Sequence, residues 1–133
     1  MEYIAESKNI KMTPRKVRLV ADAVKRSNGQ ISSVLSALVL TNKRAATPLK
    51  KAIDSAIANA INNFKAKKED LILKNIIVSE GIVYKRFRYA GRGRTRPYKK
   101  KTSHIRVVLE DKMKKEEKIM KKIEVKKEKE EKK

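Results

Sequence analysis

No cysteine or tryptophan occurs among the 133 residues, and there is a single histidine. Without cysteine, disulfides and thiolate metal sites are excluded, which fits a reducing compartment. His104 cannot build a metal cluster alone. Its neighbour Ser103 would point to the opposite face of a strand, so the two make no nucleophile–base pair. Acids are also scarce: 15 against 36 lysines and arginines, with only Glu2, Glu6, Asp22, Asp54, Glu69, Asp70, Glu80 and Glu110 before residue 111. These shortages argue against an enzyme and against a bound cofactor or metal. No apolar run reaches the roughly 18–20 residues needed to cross a bilayer. The opening residues, MEYIAE, lack the basic-then-apolar pattern of a signal peptide. The expectation is a soluble, cytoplasmic protein that stays where it is made.

What the chain has in excess is positive charge, a formal net +21. A field that strong favours a polyanion, most often nucleic acid. A membrane surface fits less well, because no basic amphipathic helix with large apolar anchors is present. The length supports one domain with one appendage.

The charge is concentrated in residues 85–101. Lys85, Arg86, Arg88, Arg92, Arg94, Arg96, Lys99, Lys100 and Lys101 lie there without one acid. Such a segment repels itself and has little apolar surface to bury, so it cannot fold alone. Apolar, β-branched runs flank it: Ile76, Ile77, Val78, Ile82 and Val83 before, and 105–109 (IRVVL) after. The pattern predicts the far end of a β-hairpin spanning about 71–110, with its tip near 88–96. A reversal at Gly91 to Gly93 would set 105–109 opposite roughly 74–78. Glycine there serves the turn and close backbone approach. A Walker loop is excluded, since the Gly-Lys-Ser/Thr ending is missing. At about 3.3 Å per residue, 82–91 would reach roughly 30 Å beyond the body. A bare ribbon of that length is marginally stable and should be ordered by its partner.

The rest supplies a body. Tyr3, Ile4, Ile10 and Met12 suggest a short strand in 1–12. Thr13 and Pro14 suit the start of a helix, Thr13 as a cap and Pro14 where its missing N–H is harmless. Val17, Val20, Ala21 and Val24 share a face of that helix, and Asn28-Gly29 ends it. A second helix over 31–40 carries a stripe of Ile31, Val34, Leu35, Leu38 and Val39. A third runs from about 43 or 44 to 64, with Pro48 near its start and a core stripe of Ile53, Ile57, Ile61 and Phe64. Ala52, Ala56 and Ala60 widen that stripe and allow close approach. Beyond Leu71 the period changes to two. Ile72, Ile76, Val78, Ile82 and Tyr84 are expected on one face, and Leu73, Ile77 and Val83 on the other. In the return strand Ile105, Val107 and Leu109 alternate with His104, Arg106 and Val108. Residues 111–133 hold eleven lysines and seven acids, a surplus of 4, and read as a disordered or single-helix tail.

Arginines at 86, 88, 92, 94 and 96 can fork onto phosphates or stack on bases. Phe87, Tyr89 and Tyr98 offer either base stacking or cross-strand packing. Arg15, Lys16 and Arg18 stay available on the first helix for the same partner. His104 reads as a strand residue donating a hydrogen bond to RNA or backbone. Two other readings stay open: a histone-like, non-specific nucleic-acid-compacting protein, and a scaffold for acidic proteins.

Residues 12–24 (MTPRKVRLVADAV), 85–88 (KRFR), 93–94 (GR) and 101–105 (KTSHI) resemble the large-subunit ribosomal protein twenty-two family of bacterial type, across about 1–110. The resemblance implies an α+β fold: three helices packed on a small antiparallel sheet, with a long protruding β-hairpin. It implies a structural protein of the large ribosomal subunit, monomeric within the ribosome, touching large-subunit rRNA, neighbouring ribosomal proteins and the nascent polypeptide. The rRNA contacts it implies are Arg15, Lys16, Arg18, Lys85, Arg86, Arg88, Arg92, Arg94, Arg96, Lys99, Lys100, Lys101 and His104. The hairpin tip, Tyr89, Ala90, Gly91, Arg92 and Gly93, would line the exit tunnel. The family commonly has Pro-Arg-Ala where this chain has Tyr89-Ala90-Gly91, so a usual basic side chain is missing at Ala90.

Overall fold

The computed structural model describes residues 1–27 and 29–112. Seven elements follow one another: strand β1 (Glu2–Ile10), helices α1 (Pro14–Arg26), α2 (Ile31–Leu40) and α3 (Ala46–Phe64), a 3-10 turn (Lys68–Asp70), and strands β2 (Leu71–Tyr89) and β3 (Thr95–Asp111). The sheet is antiparallel with order β1-β3-β2, so the last strand lies between the other two. The α3 helix packs on β1 and β3, α1 on β2, and α2 on α3. This is the expected α+β body with a long hairpin.

Pro14 takes the first position of α1, and the Thr13 carbonyl accepts the Lys16 and Val17 amides. The Thr13 side chain makes no capping bond, contrary to the expectation for it. Val17, Val20, Ala21 and Val24 are all buried, as the 3-4-3 spacing predicts. The expected turn after α1 contains Gly29, while Asn28 lies outside the described residues. In α2, Ile31, Val34 and Leu38 are buried, but Val39 is exposed because it sits at the margin of the stripe. The α3 helix starts at Ala46, later than predicted, with Pro48 in its first turn. Leu49, Ile53, Ile57, Ala52, Ala56 and Ala60 face the core. Ile61 and Phe64 are exposed and do not complete that stripe. Phe64 instead lays its ring against Tyr3 at 5.2 Å.

One correction concerns β2. Leu73 and Ile76 are buried together, although strict alternation placed them on opposite faces. The register slips between Leu73 and Asn75, leaving Lys74 unpaired in a bulge. The extra residue returns Ile76 to the core and leaves Ile77 exposed. It also carries the Lys74 ammonium to the carboxylates of Glu2 and Glu110, which are cross-strand partners. The hydrogen bond to Glu2 is the main reason the Lys74 pKa is raised.

The hairpin register meets expectation, with Leu73 opposite Leu109 and Val78 opposite Ile105. β3 continues through Asp111, whose carboxylate accepts a bond from the Tyr3 hydroxyl at 3.0 Å and pairs with the N-terminal amine at 3.3 Å. The tail expected over 111–133 lies outside the described residues beyond Lys112.

Candidate nucleic-acid interface

Every residue from Ile82 to Tyr89 and from Gly91 to Lys101 is exposed, so this arm stands outside the core and meets the body only at its root. Its root is fixed by three elements. At 81–82, β2 slips register a second time, between Glu80 and Val83. Gly81 is needed there: an added Cβ would lie 2.5 Å from Thr102 Oγ1 and 3.2 Å from His104 Nε2. The Thr102 hydroxyl donates to the Ile82 carbonyl at 2.8 Å, and His104 Nδ1 accepts the Asn9 amide at 3.0 Å. Asn9 holds a left-handed φ of 56° where β1 itself breaks register. His104 Nδ1 thus accepts from backbone and ties the end of β1 to the root of the arm. From the third side, Arg18 donates Nε and Nη2 to the Val78 carbonyl at 3.2 and 3.1 Å. Of the α1 cations, then, Arg18 is engaged within the molecule, while Arg15 and Lys16 remain exposed.

Pairing sorts the arm's side chains onto two faces, because directly opposed residues in a sheet point the same way. Tyr84 opposes Lys100, Arg86 opposes Tyr98, and Arg88 opposes Arg96. This face is an arginine–tyrosine ladder, with the Arg86 guanidinium 5.4 Å from the Tyr84 ring centre and Arg88 4.8 Å from that of Tyr98. On the other face Lys85 opposes Lys99 and Val83 opposes Lys101 near the root. Phe87 opposes Pro97 and Tyr89 opposes Thr95 near the tip. The turn between the strands is closed by the Ala90 amide donating to the Arg94 carbonyl at 2.7 Å. Within it Arg92 and Gly93 both have left-handed φ, 60° and 69°. That twist suits a tight hairpin and projects Arg92 and Arg94 at the end of the arm. Tyr89 is almost wholly exposed beside them, at 95%.

Among the described residues, Lys101 is the only cation of 85–101 with an ion pair, to Glu80 at 3.8 Å. Lys85 with Lys99 and Arg88 with Arg96 are like charges placed directly opposite, an arrangement that destabilises a free hairpin.

The structure also gathers cations that sequence reasoning missed. Lys11 from the end of β1 and Arg44 from the α2–α3 connector line a hollow with Lys16, Lys100 and Lys101. Nothing in the linear sequence signals Arg44, which lies far from both partner segments and becomes their neighbour only through folding. No group of three or more potential metal ligands occurs among the described residues.

A small α+β body carrying an unopposed cationic ribbon is the architecture of a protein made to be embedded in a larger polyanionic assembly. The sequence profile of the family "Ribosomal protein L22p/L17e" matches residues 5–110. The chain belongs to that family. It is 40% identical over 111 residues to the large ribosomal subunit protein uL22 of Mesoplasma florum, covering 84% of this chain and 97% of that one. Proteins of the same name from Fusobacterium nucleatum and Staphylococcus aureus are 41% and 38% identical over 111 residues, each covering 84% of this chain and 98% and 93% of their own lengths.

Proposed function

We propose that this chain is a structural, non-catalytic constituent of the large subunit of the cytoplasmic ribosome, held there by rRNA phosphates along its arm. The observation that carries the reading is the pair of like-charge rungs, Lys85–Lys99 and Arg88–Arg96, on a ribbon with no packing of its own. Phosphates placed against these rungs turn repulsion into attraction and release counterions. The contacting groups are Arg15, Lys16, Lys85, Arg86, Arg88, Arg92, Arg94, Arg96, Lys99, Lys100 and Lys101. Arg18 and His104 serve the same interface from its base, by orienting the arm. The tip, Tyr89 to Gly93, forms part of the wall of the exit tunnel and meets the nascent chain, with Arg92 and Arg94 supplying the charge absent at Ala90. The protein sits in the subunit as a single copy against neighbouring ribosomal proteins.

Names of the relatives and the family match support the ribosomal placement. A histone-like compacting role has no such support. Replacing Arg86, Arg88, Arg92 and Arg94 together by alanine should weaken binding to large-subunit rRNA and flatten its salt dependence. Equal affinity of variant and parent across a salt titration would sink the proposal. A chain truncated after Lys112 keeps Asp111 for Tyr3 and the N-terminus, and it should still bind rRNA and enter the subunit.

A further inference from the structure

The hollow lined by Lys11, Lys16, Arg44, Lys100 and Lys101 has a volume of about 260 Å³. It adjoins a larger one of about 520 Å³ between α1 and the α2–α3 connector. Met12, Lys16 and Arg44 line both. The larger hollow has apolar walls from Leu19, Val20, Ala23 and Ala45, with Thr41 and Lys43 also lining it. Leu19 is 67% exposed, although it stands on a helix whose other large aliphatic residues are buried. An anionic seat and an apolar slot thus share a wall.

We propose that this double cleft holds one unstacked RNA nucleotide. Its phosphate rests on Lys11, Lys16, Arg44 and Lys100, and its base enters the slot beside Leu19 and Ala23. The inference rests on the ribosomal reading above and adds a site to it. Three observations select this occupant. Lys100 and Lys101 belong both to the arm and to the smaller hollow, so a nucleic-acid backbone following the arm reaches the cleft without a break in positive charge. Lys11, Lys16, Arg44 and Lys100 make no ion pair among the described residues, leaving Glu80 beside Lys101 as the one nearby acid partner. The slot also has polar groups for the hydrogen-bonding edge of a base: the Lys43 ammonium, and the Thr41 hydroxyl, which donates to the Ala37 carbonyl at 2.7 Å and keeps its acceptor side. A base has a flat apolar face and a polar rim, and a splayed base read on its edge is the usual target when proteins recognise RNA by sequence. Arg44, lining both hollows, can stack its guanidinium on that face or fork onto the phosphate.

The test uses the full-length protein and two short hairpin RNAs, one with a single bulged 2-aminopurine and one abasic at that position. The protein should bind the base-containing RNA about tenfold more tightly at equal salt, the range for one stacked base. Ala23→Leu fills the slot from an exposed helical position and should remove that preference. Leu19→Gln, which strips an apolar wall instead, should do the same and covers the case of a misfolded Ala23 variant. Arg44→Ala should weaken both RNAs. Equal affinity for the two RNAs, or a preference that survives both slot variants, would overturn the proposal and leave a phosphate patch or a peptide groove. Failure to bind even the abasic RNA would instead count against the rRNA reading itself.

Discussion

Arg88 and Arg96 face each other directly across the arm, two guanidinium groups on one rung with no ion pair among the described residues. Cross-strand like charges cost a hairpin stability, and opposite charges contribute roughly 0.2–1 kcal/mol. Arg88→Glu should therefore stabilise the free arm, seen as slower amide exchange at Phe87 and Tyr98. The same change should weaken RNA binding and lower the slope of log affinity against log salt by about 1.4, as two cations leave the contact set. Tighter RNA binding by this variant would contradict the phosphate role of the rung.

Gly81 packs its backbone against Thr102 and His104. Gly81→Ala would force the Thr102 hydroxyl away and break its bond to the Ile82 carbonyl. The expected cost is about 1–3 kcal/mol, the usual range for overpacking, measured by urea unfolding. A variant as stable as the parent would show that the arm's root tolerates a wider gap than its geometry indicates.

Arg18 fastens α1 to the arm through two bonds to one carbonyl. Arg18→Ala should lose about 1 kcal/mol and speed amide exchange near Val78. Arg18→Lys should not restore the loss, because a lysine ammonium lacks the planar fork. If Lys rescued fully, charge rather than fork geometry would be the anchor.

Burial, followed by the hydrogen bond to Asp111, raises the Tyr3 pKa above its ordinary 10.0. The folded state thus holds this proton more tightly than the unfolded chain. Its stabilising contribution is complete below pH 10 and is lost as pH climbs through the folded value. Tyr3→Phe should cost about 1 kcal/mol at neutral pH and make the decline above pH 10 shallower. A residual decline is expected from Lys74, whose raised pKa acts in the same direction. An alkaline denaturation curve unchanged by the substitution would remove Tyr3 from the account.

Much of this architecture was legible in the chain itself. Helix α2 begins and ends at the predicted residues, and the α1 stripe is buried as its spacing requires, because helical periodicity reports directly on the buried face. The hairpin register followed from two β-branched runs and a glycine turn between them. What failed was phase. A single unpaired residue, Lys74, shifts the facing of Ile76 and Ile77 relative to Leu73 until a second slip at 81–82 shifts it back, and no residue type announces a bulge of that kind. The arm's cations were visible as a run, but their division into an arginine–tyrosine face and a lysine–apolar face depends on pairing. The cleft with Arg44 was hidden for another reason: it is assembled from segments that only tertiary structure brings together.

The position of β3 between β1 and β2 carries a consequence for how the chain is made. The N-terminal strand has no neighbour in the sheet until β3 exists, and the bond from Met1 to Asp111 spans 110 positions. During synthesis, which proceeds from the N-terminus, the first strand must wait unpaired while three helices and the whole arm are translated. The sheet then closes in one late step around its final strand, and such long-range closure is slow. Assembly of the body is timed by the emergence of β3, so the arm is complete and cationic before the fold that holds it is shut.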